Sequence, residues 1–154
     1  MNWFVSEYLS EQHDTQGMTP TPLESVQFTR FSRSAEINAY LHALAAKSDL
    51  VQAETWGHSV QGQAITALRY SDPQSHAQYS DRLRVVIVGS QHGASEAAGG
   101  EALLVLARQL LQPQMLPLLQ VMDIFLLPNA NPDGRDDDSS KNANGLNLNR
   151  DYVL

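Results

Sequence analysis

The sequence predicts an α/β fold built on a mixed β-sheet with helices on both faces, and three observations carry that expectation. Two short runs rich in strand formers, residues 50–57 and 64–70, are joined by a polar connection through Gln61-Gly62, the pattern of a hairpin. The run Val85-Val86-Ile87-Val88 has no polar alternation and reads as a strand buried on both faces. A helical pattern then leads to a second apolar run at 121–127, so strand, helix and strand follow the hairpin in order.

Residues 1–27 read as an N-terminal arm. They are polar and punctuated by Gly17, Pro20 and Pro22, with room for one short helix near residues 3–9. Residues 28–154 form the folded unit. From Ser34 to Lys47 the apolar residues Ile37, Tyr40, Leu41, Leu44 and Ala45 recur at helical spacing. Ser32 or Ser34 is the candidate cap, and Glu36 sits in the first turn, where the helix dipole favours negative charge. The strand at 83–89 delivers the chain to His92. Residues 97–111 carry Leu103, Leu104, Leu106, Ala107, Leu110 and Leu111 as an amphipathic helix, which Pro113 and Pro117 end. The strand at 121–127 is closed by Pro128. From Asn129 onward the chain reads as a long loop rich in Asn, Asp and Gly, and loops of that length in a compact domain are commonly functional or disordered.

Composition narrows the function classes. With 154 residues, 42% of them hydrophobic, the chain is long enough for one core and too apolar for a disordered polymer. Seventeen acidic against ten basic side chains give a formal charge of −7, which disfavours nucleic acid and anionic lipid as partners. Cysteine is absent, so a metal here takes His and carboxylate ligands. No stretch approaches the length of a membrane span, and the first residues have neither a basic region nor a sustained apolar one. The expectation is a soluble, cytoplasmic chain with no membrane partner.

Two segments carry chemistry, and both follow the carboxyl ends of predicted strands, where sites in open α/β sheets lie. In Ser90-Gln91-His92-Gly93-Ala94-Ser95-Glu96, an imidazole and a carboxylate stand four residues apart between a strand end and a helix start. Catalytic zinc takes three protein ligands and leaves a place for water, and His92 with Glu96 would be two of them. Taken alone, such a pair is more often an ordinary polar contact. In the second segment, Asn149 and Arg150 offer an amide beside a planar guanidinium, which pairs bidentately with a carboxylate. Alone, Arg150 reads more readily as a surface or interdomain salt bridge. Asp133, Asp136, Asp137 and Asp138 lack the alternation and closing Glu of a calcium loop and read as a solvated acidic stretch. Ser59 lies between two strands, without the strand-to-helix setting of a serine nucleophile.

In context the segments resemble a known family. Gly89 through Glu96, followed by Ala98-Gly99-Gly100-Glu101-Ala102, is similar to the first zinc-binding segment of the carboxypeptidase A-like metallocarboxypeptidases. Asn131-Pro132-Asp133-Gly134, and Asn142-Ala143-Asn144-Gly145 through Leu148-Asn149-Arg150-Asp151, resemble the next two signatures. Upstream, Phe28-Thr29-Arg30-Phe31-Ser32 and Gly57-His58-Ser59-Val60-Gln61-Gly62 match the family's opening in order and character. The resemblance implies a truncated, zinc carboxypeptidase-like fold. It makes zinc the cofactor, His92 and Glu96 its first two ligands, and Asn149 with Arg150 the holders of the substrate's terminal carboxylate.

The pattern departs from the family at three points. Three residues, not the usual two, separate His92 from Glu96. Ser140 stands where the family commonly has an oxyanion-stabilising arginine, with Lys141 beside it and Arg135 further back. The family's second histidine ligand, substrate-contacting tyrosine and general-base glutamate have no counterparts, because His13, His42, His58 and His76 all precede His92. No catalytic residue is therefore assigned, and the chain alone is expected to be inactive. The partner is a peptide or acyl-amino-acid substrate with a free carboxylate. An N-acyl amino acid deacylase of the aspartoacylase or succinylglutamate desuccinylase type, and a non-catalytic carboxylate-binding or truncated module, are the alternatives. Uncovered apolar sheet in such a module favours association.

Overall fold

The computed structural model describes residues 18–75 and 82–150. The helix expected near residues 3–9, His13 and His76 lie outside them. Five helices and four strands follow in the order α1 (Pro22–Ser25), α2 (Ser34–Ala45), β1 (Val51–His58), β2 (Ala64–Tyr70), β3 (Leu83–Val88), α3 (Ala97–Gln109), α4 (Leu116–Val121), β4 (Met122–Leu127) and α5 (Pro132–Asp136). Short 3₁₀ turns cover Gly93–Glu96, Pro113–Met115 and Leu148–Arg150.

The sheet is mixed, as predicted, with strand order β1-β2-β4-β3. The hairpin partners β1 and β2 are antiparallel, β2 and β4 are antiparallel, and β4 and β3 run parallel. Gln61-Gly62 turns the hairpin, with Gly62 at φ +79°, a conformation that costs glycine nothing.

Period-two alternation sorts the sheet's side chains. Leu68, Tyr70, Ile124, Leu126 and Ile87 join one core with Ile37, Leu41 and Leu44 of α2, Leu103, Leu104 and Ala107 of α3, and Leu119 of α4. The buried Tyr70 hydroxyl donates to the Ala107 carbonyl at 2.7 Å, so its polar tip is satisfied inside that core. Burial pushes the Tyr70 phenol well above its ordinary range. On the other pleat of β3, Val86 and Val88 are 55% and 49% exposed. The reading of β3 as buried on both faces is therefore corrected. The strand ends the sheet order with β4 as its one paired neighbour among the described residues, and the helices that build the core lie against the pleat that carries Ile87.

Caps also differ from expectation. Neither Ser32 nor Ser34 caps α2 with its side chain. Glu36 reaches back to accept from the Arg33 N–H at 2.8 Å, while the Ser34 N–H and hydroxyl both donate to Asp136, each at 2.9 Å. Glu36 also takes Arg30 in a bidentate grip, at 2.8 and 2.6 Å. At α1, Thr21 and Glu24 form a reciprocal capping box. Arg108 of α3 clasps Glu24 at 2.5 and 2.6 Å, anchoring that turn to the domain.

Pro113 and Pro117 lie beyond the end of α3, and each also sits in the first turn of a new helical segment, where a missing N–H is no loss. The residues after Asn129 are more ordered than a loop. Asn131 caps α5 by accepting from the Gly134 N–H at 3.0 Å, and Pro132 occupies its first turn.

Candidate active site

The parallel pairing of β3 with β4 sets Val88 opposite Leu127, so the two chains leave the sheet side by side. Two backbone bonds extend the ladder past the strand ends: Gly89 N–H to Leu127 C=O at 2.8 Å and Ala130 N–H to Gly89 C=O at 3.1 Å. The segments singled out by sequence therefore start from neighbouring points.

The first segment rises from β3 into a 3₁₀ turn at Gly93–Glu96. Gly93 has φ +51°, and a Cβ there would lie 2.5 Å from both the Gly134 carbonyl carbon and the Ser139 oxygen. Only glycine lets this turn press against α5 and the segment that follows it. The extra residue between His92 and Glu96 is absorbed by the 3₁₀ turn, and the two side chains meet. His92 Nδ1 lies 2.5 Å from Glu96 Oε1, and the His92 N–H donates to Oε2 at 3.2 Å. The imidazole is 16% and the carboxylate 47% exposed. The His92 side-chain hydrogen bond holds the Glu96 carboxyl below its ordinary pKa, aided by the His92 N–H and, more weakly, by the charge of Arg150.

An imidazole nitrogen and a carboxylate oxygen that converge from one turn suit zinc as a partial ligand set. They are two donors. Among the described residues no group of three His, Cys, Asp or Glu side chains could hold a metal ion.

Asn149 and Arg150 lie on the 3₁₀ turn Leu148–Arg150, which closes an Asn-rich segment. Asn142 shapes that segment: its Oδ1 accepts from the Asn144 and Leu146 N–H groups, and Gly145 takes φ +76°. The Gln91 side chain donates to the Leu148 carbonyl at 3.3 Å, connecting this segment to the residue before His92. Arg150 is exposed, and one guanidinium nitrogen donates to the Asn149 carbonyl at 2.9 Å. Asn149, beside Arg150 in the chain, is partly buried, and the Gln91–Leu148 bond joins this segment to the one bearing His92.

The reading of Asp133, Asp136, Asp137 and Asp138 as a solvated stretch is corrected at two positions. Asp133 is fully buried and accepts from the Gln61 N–H and the Gln63 side-chain amide of the hairpin turn. Asp136 receives the start of α2. Asp137 and Asp138 are exposed, and Asp138 pairs with Arg33.

Arg135, noted in the sequence as a nearby cation, is likewise buried and committed. Its guanidinium bonds Glu101 at 2.5 Å, Ser90 Oγ at 2.9 Å and the Ser32 carbonyl at 2.6 Å. Burial lowers its pKa, although Glu101 opposes that shift. Residue order alone does not show this network. Its signal was a carboxylate, Glu101, on the same stripe of α3 as Ala97, Leu104 and Ala107. Lys141, His42 and His58 are exposed, and Ser59 is occupied in the hairpin turn, where its hydroxyl accepts from the Gln63 N–H.

The sequence profile of the zinc carboxypeptidases matches residues 37–153. The chain belongs to the zinc carboxypeptidase family. Carboxypeptidase D of Mus musculus is 31% identical over 128 residues, which are 70% of this chain and 9% of that protein. The carboxypeptidase N catalytic chain of Rattus norvegicus is 31% identical over 123 residues, 68% of this chain and 26% of that one. Among solved structures, a metallo-carboxypeptidase from Burkholderia cenocepacia superposes with a TM-score of 0.68 at 24% identity, over 77% of this chain and 32% of that one. A Pseudomonas aeruginosa metallo-carboxypeptidase, solved with (2-guanidinoethylmercapto)succinic acid, gives 0.61 at 34% identity, over 74% and 30%. The chain thus spans about a third or less of these zinc carboxypeptidases, and its mixed sheet with packed helices is a truncated form of their fold.

Proposed function

We propose that this chain contributes the first two zinc ligands and the carboxylate-recognition pair of a carboxypeptidase site that hydrolyses C-terminal peptide bonds. The observation that carries this reading is the convergence of His92 and Glu96 at 2.5 Å in one turn, which the Gln91–Leu148 hydrogen bond links to the segment bearing Asn149 and Arg150. His92 and Glu96 would hold the metal. Bound zinc supplies Lewis-acid polarisation of a carbonyl and a water of lowered pKa.

The chain's own residues contribute donors and substrate positioning. Glu96 is a carboxylate at neutral pH, as an ordinary Glu is, and so is available as a donor. The Arg150 guanidinium offers paired donors to a substrate's terminal carboxylate, with the Asn149 amide beside it, and binding there orients the bond to be cleaved. Arg135 is spent on Glu101, which leaves the described residues without a cation assigned to the oxyanion. With two metal donors and no general base assigned, the chain alone is expected to bind without turnover. The deacylase alternative shares the His, Glu and Asn-Arg groups. The zinc carboxypeptidase match over residues 37–153 favours peptide as the substrate class.

The test is equilibrium zinc binding to this chain, read by competition with a chromophoric chelator. His92→Ala and Glu96→Gln should each weaken binding by more than about tenfold. Binding indifferent to both changes would sink the proposal.

A further inference from the structure

Beneath the turn that carries His92 and Glu96 lies a buried cation that no ligand-binding or hydrolytic role accounts for. The Arg135 side chain is 2% exposed and Glu101 5%. Arg135 Nη1 donates to Ser90 Oγ at 2.9 Å and faces the Ala97 carbonyl at 3.4 Å. Ser90 and Ala97 flank the segment 91–96 on either side, so one guanidinium nitrogen touches both ends of the ligand-bearing turn. Nη2 is held by Glu101, and Nε by the Ser32 carbonyl. Glu101 is itself fixed by the Ser32 N–H at 2.7 Å and the Ser32 hydroxyl at 2.9 Å.

The turn is shaped to accept this support. Ser90 has φ +54°, a strained value for a residue with a Cβ, and such strain persists where the surroundings over-determine it. Gly100 leaves the space: a Cβ there would lie 2.4 Å from Ser90 Oγ and 3.0 Å from Arg135 Nη1.

We propose that Arg135, locked by Glu101 and acting through Ser90, is a positioning residue that sets the direction of the His92–Glu96 pair. The inference rests on the metal-ligand reading above for its purpose, and on the hydrogen-bond geometry for its existence. Groups that orient metal ligands commonly change affinity by about 10–100-fold when removed.

Ser90→Ala removes the link and leaves the buried ion pair intact; Glu101→Gln loosens the pair itself. Leu68→Ala serves as a variant destabilised elsewhere in the core. Two readouts are taken on the whole chain: zinc affinity by chelator competition, and amide hydrogen exchange at Ala94, whose N–H bonds the Ser139 carbonyl at 3.2 Å. Ser90→Ala and Glu101→Gln should speed Ala94 exchange relative to the amides of β2 and weaken zinc about tenfold or more. Leu68→Ala should speed exchange generally and leave the affinity of the folded protein unchanged. If Glu101→Gln does not fold, Ser90→Ala alone decides. Unchanged Ala94 exchange in Ser90→Ala overturns the brace, whatever zinc does. Faster Ala94 exchange in a chain whose wild type binds no zinc upholds the brace and overturns the metal reading instead. Faster exchange with unaltered zinc affinity overturns the positioning role.

Discussion

Asp133 accepts a hydrogen bond from the backbone N–H of Gln61, seventy-two positions earlier in the chain, at 3.3 Å. The bond joins the turn of the β1–β2 hairpin to the helix that follows β4. It ties the rim of the sheet's antiparallel half to the loops of its parallel half. The carboxylate is fully buried, while the Gln61 and Gln63 donors lie nearer the surface, so its removal costs the two bonds without stranding their donors. Asp133→Ala should cost about 0.5–1.5 kcal/mol in urea unfolding for each bond lost, the usual net worth of an intramolecular hydrogen bond. A change below about 0.5 kcal/mol, the level of an ordinary surface substitution, would show that the contact does not hold the turn.

Gly99 and Gly100 are neighbours on α3 with opposite surroundings. A Cβ at Gly99 meets nothing within 4 Å, whereas one at Gly100 would lie 2.5 Å from the Pro128 carbonyl. Gly99→Ala should stabilise by roughly 0.5–1 kcal/mol through the helix preference for Ala. Gly100→Ala should destabilise by about 1–3 kcal/mol, as overpacking does. Thermal unfolding of the two variants checks the contrast, and equal shifts would contradict the close approach of α3 to the end of β4.

Glu36 makes a prediction about acid. Hydrogen bonds from Arg30, and then from the Arg33 N–H, hold its carboxyl at about 2, against an ordinary 4.5. Since the folded pKa is the lower one, its contribution to the start of α2 is complete above about pH 4.5 and is lost as pH falls toward about 2. Carbon-13 NMR titration of the carboxyl should find the depressed midpoint, and Glu36→Gln should flatten the stability profile across that window. A Glu36 midpoint at its ordinary value would refute the bidentate contact with Arg30.

Arg150 supplies a prediction about ligand chemistry. If its guanidinium receives a terminal carboxylate, a short peptide with a free C-terminus should bind this chain more tightly than the same peptide amidated. The difference should be about 1.5–3 kcal/mol, typical of charge-assisted hydrogen bonds, and should vanish in Arg150→Ala. Calorimetric titration decides it; equal affinity for both peptides removes Arg150 from substrate recognition.

Much of this architecture was legible from residue order. The hairpin, α2, α3 and the strand at 122–127 emerged from local periodicity and turn chemistry, signals carried by neighbours in the chain. What stayed hidden depended on distant partners. The exposed pleat of β3 reflects its place at the end of the sheet order, which an apolar run does not encode. Asp133 and Asp136 looked solvated because their acceptors are used by residues far upstream, on the hairpin turn and at the start of α2. The helix α5 did announce itself, through Asn131 as a cap and Pro132 in the first turn, but the density of Asn, Asp and Gly masked it. His92 and Glu96 stand out through the resemblance of the segments around them, since by type and spacing alone the pair reads as an ordinary polar contact. The Arg135–Glu101 bond below them escaped notice because thirty-four positions separate its members.

The hydrogen-bonded ladder between Val88 and Leu127 acts as a ruler. Adjacent strands stand roughly 4.8 Å apart whatever side chains they bear. The origin of the imidazole-bearing loop relative to the asparagine-rich one is therefore set by backbone alone. Drift in either loop's composition can retune what is gripped without altering how far apart the two grips begin, a tolerance consistent with relatives that share under a third of their residues with this chain over the compared span.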